Sequence, residues 1–316
     1  MLLKRRLSSD RLPEQHRASQ RGGEADRRVR RGPQRGVARG PAVTLWDWIP
    51  PILSGRFEAS RRRPPEVYAS YTEALAASSG GYGDPRVARV VCEKTRRYRD
   101  ALASQRPLVC DPSALWAVLA LNLRPPQDTT WHVLDFGGAC GAHYFWARAW
   151  LGDRVRLRWH VVESPAMVVE AVRLEEDGLR VFDRLDAACA ALGRVDLVFS
   201  SGALPYLPDP AATLQDLTAR GALAICLTRL VLTTGPRDLI ICSASRLRDN
   251  GPGPLPAGWK DGPVSFPLTV LRRDRVEAIL AERYTIQLLS REHTQPSVVD
   301  SQPCAVYGFL GVLKPV

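Results

Sequence analysis

The chain has 316 residues, of which 45% are hydrophobic and 24% charged, a composition typical of one or two globular domains with a sizeable core. No run of 18 or more apolar residues occurs, so no membrane span is predicted. Residues 1–40 contain twelve basic and four acidic residues and supply +8 of the net charge of +11. The rest of the chain therefore does not require a nucleic-acid partner to explain its charge.

Residues 1–44 are rich in Arg, Gly, Ser and Gln, lack periodicity, and are predicted to be a disordered extension. Three interpretations stay open. The segment is an arm that binds nucleic acid or a membrane, an Arg-rich organellar transit peptide, or an extension without a function, and we favour the third.

Residues 45–127 are predicted to form an α-helical preface. Ser70 and Glu73 have the spacing of a capping box, and Asp84 followed by Pro85 indicates a second helix start. The segment "PSALWAVLALNL" predicts a third helix. The tyrosines at 68, 71 and 82 either belong to the core, which we favour, or close over a substrate.

From residue 128 to 316, strand-like and helix-like segments alternate, which predicts an α/β domain with a mostly parallel sheet and right-handed crossovers. "PAMVVEAVRLEEDG" predicts a helix over 165–178. "YTIQLLSREH" and "AVYGFLGVLKPV" predict two late strands. Between Asp209 and Ser243 two apolar runs stand where one strand is expected, so either a helix is extended or an extra strand exists.

The loop after the first predicted strand, "LDFGGACGAHYF", offers a ligand site at the carboxyl end of the sheet. A dinucleotide pattern G-x-G-x-x-G would need glycines where Ala139 and Ala142 stand. The frame D-x-G-x-x-x-G, formed by Asp135, Gly137 and Gly141, fits better. It favours S-adenosylmethionine, because the ammonium of that cofactor suits a nearby carboxylate and no pyrophosphate has to be bound.

Two acidic residues follow at strand ends. Glu163 ends the second predicted strand, 22 residues after Gly141, where a carboxylate can accept hydrogen bonds from both ribose hydroxyls. Asp183 lies 20 residues further on, where the adenine edge is often contacted in this fold. The alternatives are a surface charge for Glu163 and a helix cap for Asp183.

The segment "DLVFSSGALPYLPDP" resembles the loop after the fourth strand of class I S-adenosylmethionine-dependent methyltransferases. Together with "YASYTEALAASSGGY", "LDFGGACGAHYF", "HVVESPAMV" and the C-terminal segment, it resembles one family of these enzymes, whose members are associated with bacterial surface polysaccharides. The likeness runs from Glu66 to the C-terminus. It implies a Rossmann-like class I methyltransferase fold with a C-terminal antiparallel strand, S-adenosylmethionine as cofactor, and a saccharide or glycolipid acceptor. A cytoplasmic location is predicted separately from the seven cysteines, whose odd number and lack of C-x-x-C pairs indicate reduced thiols. Ala139 departs from the usual second glycine of the loop.

The candidate residues fall into two groups. The cofactor-binding candidates are Asp135, Phe136, Gly137, Gly138, Gly141, Glu163, Asp183, Ser200 and Ser201. The candidates for a general base are His143, Tyr206 and Asp209, each of which has a structural alternative as a packed helix residue, a wall residue and a helix N-cap, respectively. The seven cysteines form no C-x-x-C pair, so no metal site is predicted.

The sequence therefore favours a methyltransferase acting on an oxygen of a saccharide, glycolipid or related small metabolite. Three alternatives stay open: a binding protein without turnover, an RNA methyltransferase that uses the basic extension, and an NAD-dependent enzyme. The sequence does not specify the acceptor or the oligomeric state.

Overall fold

A computed structural model describes residues 65–79, 81–104, 112–123, 130–292 and 297–315. The predicted extension 1–44 and the first part of the preface lie outside these residues. Within them, no helix is both long and apolar enough to cross a membrane.

The centre of the molecule is a mixed sheet with the order β3-β2-β1-β4-β5-β10-β8. The first five strands in the chain are mutually parallel: β1 (Thr130–Phe136), β2 (Arg156–Val162), β3 (Leu179–Phe182), β4 (Leu197–Ser201) and β5 (Ala224–Thr233). Two late strands complete the sheet and a short one flanks it: β8 (Tyr284–Arg291), β9 (Ser297–Val299) and β10 (Gln302–Leu313). Because β10 runs antiparallel between β5 and β8, the predicted Rossmann-like sheet with a C-terminal antiparallel strand is confirmed.

Helices cover both faces of the sheet. They are α1 (Tyr71–Ala77), α2 (Pro85–Ala103), α3 (Pro112–Leu123), α4 (Ala142–Leu151), α5 (Pro165–Ala171), α6 (Leu185–Leu192), α7 (Pro210–Ala219) and α8 (Arg273–Arg283). Side chains of α2, α3, α4 and α5 share one core cluster, and those of α6, α7 and α8 share a second cluster on the opposite face. Trp131 and Trp159 are the largest fully buried side chains of the first cluster.

The helix predicted over 165–178 is shorter in the structure. The α-helix ends at Ala171 and continues only as a 3₁₀ turn through Leu174. Three β-branched valines in this stretch are weak helix formers, because their side chains crowd the preceding turn. Glu176 then turns the chain back and pairs with Leu179 at the start of β3.

The helical preface is confirmed in its described part. Ser70 caps α1 by accepting a hydrogen bond from the Glu73 amide at 3.2 Å. The Glu73 carboxylate accepts from the amide of Ala69 rather than from that of Ser70, so the capping box closes one residue early. Asp84 caps α2 through the amide of Arg86, with Pro85 in the first helical position.

The two apolar runs between Asp209 and Ser243 form separate strands, so the extra-strand interpretation is correct. The second run is β6 (Leu239–Arg246), and it pairs antiparallel with β7 (Pro263–Arg272). Among the described strands, this hairpin pairs with the main sheet only where β7 meets the end of β5, at Leu232–Leu271 and Thr233–Arg272. The amide of Tyr68 donates to the carbonyl of Ile240, which links the preface to the hairpin.

Candidate functional site

A cavity of about 590 Å³ lies at the carboxyl ends of β1 to β4, which is the edge where parallel α/β sheets bind ligands. Its opposite wall is formed by α1, α2 and the β6–β7 hairpin. The volume falls within the range of sites that bind small molecules.

The glycine loop forms the floor of this cavity. Gly137 has φ +72° and donates its amide to the Val162 carbonyl at 2.8 Å. A Cβ atom at Gly137 would lie 2.0 Å from the Cβ of Ala203, and one at Gly138 would lie 2.3 Å from the Oδ2 of Asp135. Both positions therefore require glycine for the packing of the protein itself, before any ligand is considered.

Ala139 also has a left-handed backbone, with φ +51°. This conformation costs an L-residue roughly 1–2 kcal/mol, which gives a physical reason for a glycine at this position of such loops. The Ala139 amide donates to the Oε1 atom of Glu163 at 3.0 Å. The contact joins the loop after β1 to the residue after β2.

Glu163 lines the cavity, and its second carboxylate oxygen accepts from the amide of Ser164 at 2.8 Å. Burial raises the pKa of Glu163, and the hydrogen bonds from the backbone amides of Ser164 and Ala139 oppose that rise. The carboxylate is thus held in one orientation, with acceptor capacity left on each oxygen for a ligand hydroxyl.

Asp135 lies beneath the loop rather than in the cavity. Its side chain is completely buried and accepts a hydrogen bond from the indole nitrogen of Trp159 at 2.8 Å. Burial raises the pKa of Asp135 to about 7, although the Trp159 bond acts in the opposite direction. Trp159 was not singled out from the sequence, where it reads as one apolar residue of a strand.

The predicted cofactor residues divide into two groups. The cavity is lined by Phe136, Gly137, Gly138, Glu163, Asp183 and Ser201. Three others support it from behind: Asp135, Gly141, which begins α4 with φ +79°, and Ser200, whose hydroxyl donates to the Phe136 carbonyl at 2.9 Å. Asp183 is exposed at the rim and is not the cap of α6, because Arg184 occupies the N-cap position.

The three base candidates lie in different environments. Asp209 is the N-cap of α7, accepts from the Ala212 amide at 2.9 Å, and is not part of the cavity lining. Tyr206 lines the cavity, and burial raises its pKa, so near neutral pH it is a hydrogen-bond donor rather than a base. His143 lines the cavity, and its Nε2 atom lies 2.9 Å from the Ser113 hydroxyl.

An aromatic wall faces the glycine loop across the cavity. Tyr82 stacks on Phe266 at a centroid distance of 4.5 Å and meets Tyr206 edge-on at 5.0 Å. Tyr71 also lines the cavity, whereas Tyr68 does not, so two of the three preface tyrosines reach the site. Phe266 and Arg229 were missed from the sequence. The available signal for Arg229 was a charged residue that interrupts the apolar run of β5.

No protein-family model matches this sequence, and no curated protein is similar to it in sequence. Solved structures are similar in fold. A S-adenosylmethionine-dependent methyltransferase from Clostridium acetobutylicum is 12% identical, with a TM-score of 0.39 over 71% of this chain and 99% of that one. DesVI from Streptomyces venezuelae is 16% identical, with a TM-score of 0.38 over 64% and 92% of the two chains. Magnesium protoporphyrin IX methyltransferase from Synechocystis, solved with bound SAH, is 14% identical, with a TM-score of 0.37 over 70% and 86%. The fold of this chain is defined by the strand order and directions described above.

Proposed function

We propose that this chain is a S-adenosylmethionine-dependent methyltransferase that methylates an oxygen of a saccharide, glycolipid or related small metabolite. The observation that carries the proposal is the cavity at the carboxyl ends of β1 to β4, where Glu163 accepts a hydrogen bond from the glycine loop that forms its floor. This arrangement places backbone, carboxylate and hydroxyl groups where a nucleoside-containing ligand can lie across neighbouring strand ends.

The lining fits S-adenosylmethionine in chemistry. Glu163 and Asp183 would accept hydrogen bonds from the ribose hydroxyls and the adenine edge, and Ser201 would offer a hydroxyl to the amino-acid part. Val162 and Leu185, each close in the chain to one of these carboxylates, add apolar lining that suits the base. Glu163 retains acceptor capacity toward the cavity beside its two backbone hydrogen bonds.

When bound, the sulfonium would supply an electrophilic methyl group, so that its carbon–sulfur bond breaks as a carbon–oxygen bond forms. The protein has to orient the acceptor, exclude water and take up the hydroxyl proton. His143 is our proposed proton acceptor, since it lines the cavity and its Nε2 atom lies 2.9 Å from the Ser113 hydroxyl. Tyr206 would orient the acceptor by donating a hydrogen bond.

The saccharide acceptor and the polysaccharide-associated family rest on the sequence resemblance, and the cytoplasmic location rests on the cysteine pattern. The aromatic wall is consistent with a sugar, because the half-buried rings of Tyr82 and Tyr206 offer apolar surfaces beside polar hydroxyls. A sugar ring stacked on this wall would contact both the apolar ring surfaces and the hydroxyls.

The test is a thermal-shift and calorimetric titration of the full chain with S-adenosylhomocysteine and, separately, with NADH. At about 100 times its Kd, a ligand specific for the folded state adds about 2.7 kcal/mol of stability. We expect this shift with S-adenosylhomocysteine alone, and reduced affinity in Glu163→Gln and Glu163→Ala. Glu277→Ala on α8, outside the cavity, is the control and should bind normally. No shift with wild type, or a shift with NADH alone, would overturn the proposed cofactor.

A further inference from the structure

The cavity has two ends that belong to different parts of the sheet. The predicted cofactor residues follow β1, β2, β3 and β4, whereas Arg229 and Val231 come from β5 and Phe266 comes from β7. Because β5 lies beyond β4 in the strand order, Arg229 and Val231 lie toward the end of the cavity away from Asp183. On the proposed function, that end is where the methyl acceptor lies.

A β-bulge directs Arg229 toward this end. Leu227 pairs with Phe309 and Leu230 pairs with Tyr307, so Thr228 and Arg229 together oppose a single residue of β10. Leu227, Leu230 and Leu232 all stay in the core cluster beneath α7 and α8. Without the extra residue, strict alternation would place position 229 on the same face as Leu227. The bulge instead places Arg229 on the cavity side.

The conformation at Arg229 is costly and held by the surrounding structure. Its φ is +58°, in the left-handed region that non-glycine residues rarely adopt, and its amide donates to the Oε1 atom of Glu292 at 2.8 Å. Strained residues and bulges of this kind occur preferentially beside functional sites, where they aim a side chain. Gly202 lies directly against this side chain, since a Cβ there would be in ordinary contact with the Cβ and Nε atoms of Arg229 at 3.4 Å.

The charge of Arg229 acts on the aromatic wall. Burial raises the pKa of both Tyr82 and Tyr206, and the positive charge of Arg229 opposes that rise at both rings. The acceptor end of the cavity therefore combines aromatic ring surfaces, phenolic hydroxyls and a guanidinium. The guanidinium and the phenolic hydroxyls can donate hydrogen bonds, so this end of the cavity suits a ring that carries an anionic oxygen group.

We infer that Arg229 binds an anionic group, a carboxylate or a phosphate, carried by the methyl acceptor, whose ring lies against the half-buried rings of Tyr82 and Tyr206. The inference rests on the proposed function for the identity of this ligand as an acceptor. It narrows the substrate from a saccharide in general to an acidic or phosphorylated one. Arg229 is thus a specificity-determining residue of the site.

The test uses the full chain saturated with S-adenosylhomocysteine and titrated with three probes followed by ligand-observed NMR. Glucuronate carries a carboxylate, glucose 1-phosphate carries a phosphate, and methyl glucoside is uncharged. We expect at least one anionic sugar to bind wild type about tenfold or more tightly than Arg229→Gln, as loss of a charge-assisted hydrogen bond predicts. Arg229→Lys, which keeps the charge without the forked donor geometry, should be intermediate.

Arg158→Gln is the matched control, since Arg158 is exposed on β2 and lies outside the cavity. It should bind all probes like wild type, and methyl glucoside should not distinguish any of the variants. Equal affinity of wild type and Arg229→Gln for both anionic sugars, or no binding of either by wild type, would overturn the inference. Repeating the titrations without S-adenosylhomocysteine separates this result from a failure of the cofactor proposal.

Discussion

The ammonium of Lys94 on α2 lies 2.6 Å from the carbonyl oxygen of Asn250 and 2.7 Å from that of Arg248. The side chain is only 2% exposed, so these two hydrogen bonds hold it in place of water. Both carbonyls belong to the segment between β6 and β7, and Asn250 lines the cavity. Lys94 thus links the segment between β6 and β7 to α2 of the helical preface.

Replacing Lys94 with Met should lower the free energy of unfolding by about 1–3 kcal/mol, because two carbonyls lose their donor. Burial lowers the pKa of Lys94 from 10.5 to about 7 in the folded state. Between these values the unfolded chain binds more protons, so the free energy of unfolding of wild type should rise with pH from about 7 to 10 relative to Lys94→Met. Urea denaturation at several pH values measures both effects. Lys260→Met, at an exposed lysine, should show neither, and a pH-independent difference for Lys94→Met would contradict the assignment.

The raised pKa of Asp135 predicts that the free energy of unfolding depends on pH with the opposite sign. Its pKa is raised from 3.8 to about 7, mainly by burial, so the folded state holds a proton that the unfolded chain has lost between these pH values. The free energy of unfolding should therefore fall as pH rises from 4 to 7, by on the order of 2–4 kcal/mol relative to Asp135→Asn. Parallel unfolding curves of wild type, Asp135→Asn and the exposed-site control Asp153→Asn test this. A constant gap between wild type and Asp135→Asn would refute it.

The close approach of Gly137 to Ala203 predicts that a smaller residue at 203 restores stability lost by a substitution at 137. Gly137→Ala should cost roughly 2–5 kcal/mol, from the left-handed backbone and from the contact with Ala203. Gly221→Ala has a similar φ, +64°, but meets nothing within 4 Å, so it should cost only the backbone strain of about 1–2 kcal/mol. The double variant Gly137→Ala/Ala203→Gly should recover the difference, as measured by chemical denaturation. Additive effects of the two substitutions would show that Ala203 is not the obstacle.

Ala139→Gly should stabilise the protein by about 0.5–1 kcal/mol, because glycine adopts a positive φ without the penalty that Ala139 carries. The backbone amide that donates to Glu163 is retained, so the affinity for S-adenosylhomocysteine should change by less than about twofold. Thermal unfolding with and without the ligand measures both quantities. A destabilised variant would mean that packing of the Ala139 methyl group outweighs the backbone strain.

Features encoded by neighbouring residues could be predicted from the sequence. Ser70, Asp84 and Asp209 each precede a helix and cap it, since a cap depends only on the next few residues. The loop at 135–141 and the alternation of strands and helices were recognisable for the same reason. The sheet direction followed from that alternation.

Features that depend on pairing between distant segments could not be predicted. The bulge that directs Arg229 depends on Gly308, far along the chain, and no local pattern around Arg229 indicates it. The contact between Ala139 and Glu163 requires the parallel register of β1 and β2. Pro267 within β7 also argues locally against a strand, although the pairing of β6 and β7 accommodates it.

The narrow attachment of the β6–β7 hairpin has a consequence for how this chain can diverge. Only two residue pairs join β7 to β5, while the strands that carry the cofactor candidates are paired along their length. A hairpin of different length or sequence could replace residues 239–272 without altering the register of β1 to β4. Exchanging this hairpin between homologues, with its partner segment 65–79, is therefore a direct route to changing the ligand specificity of the cavity while the wall formed by the ends of β1 to β4 stays constant.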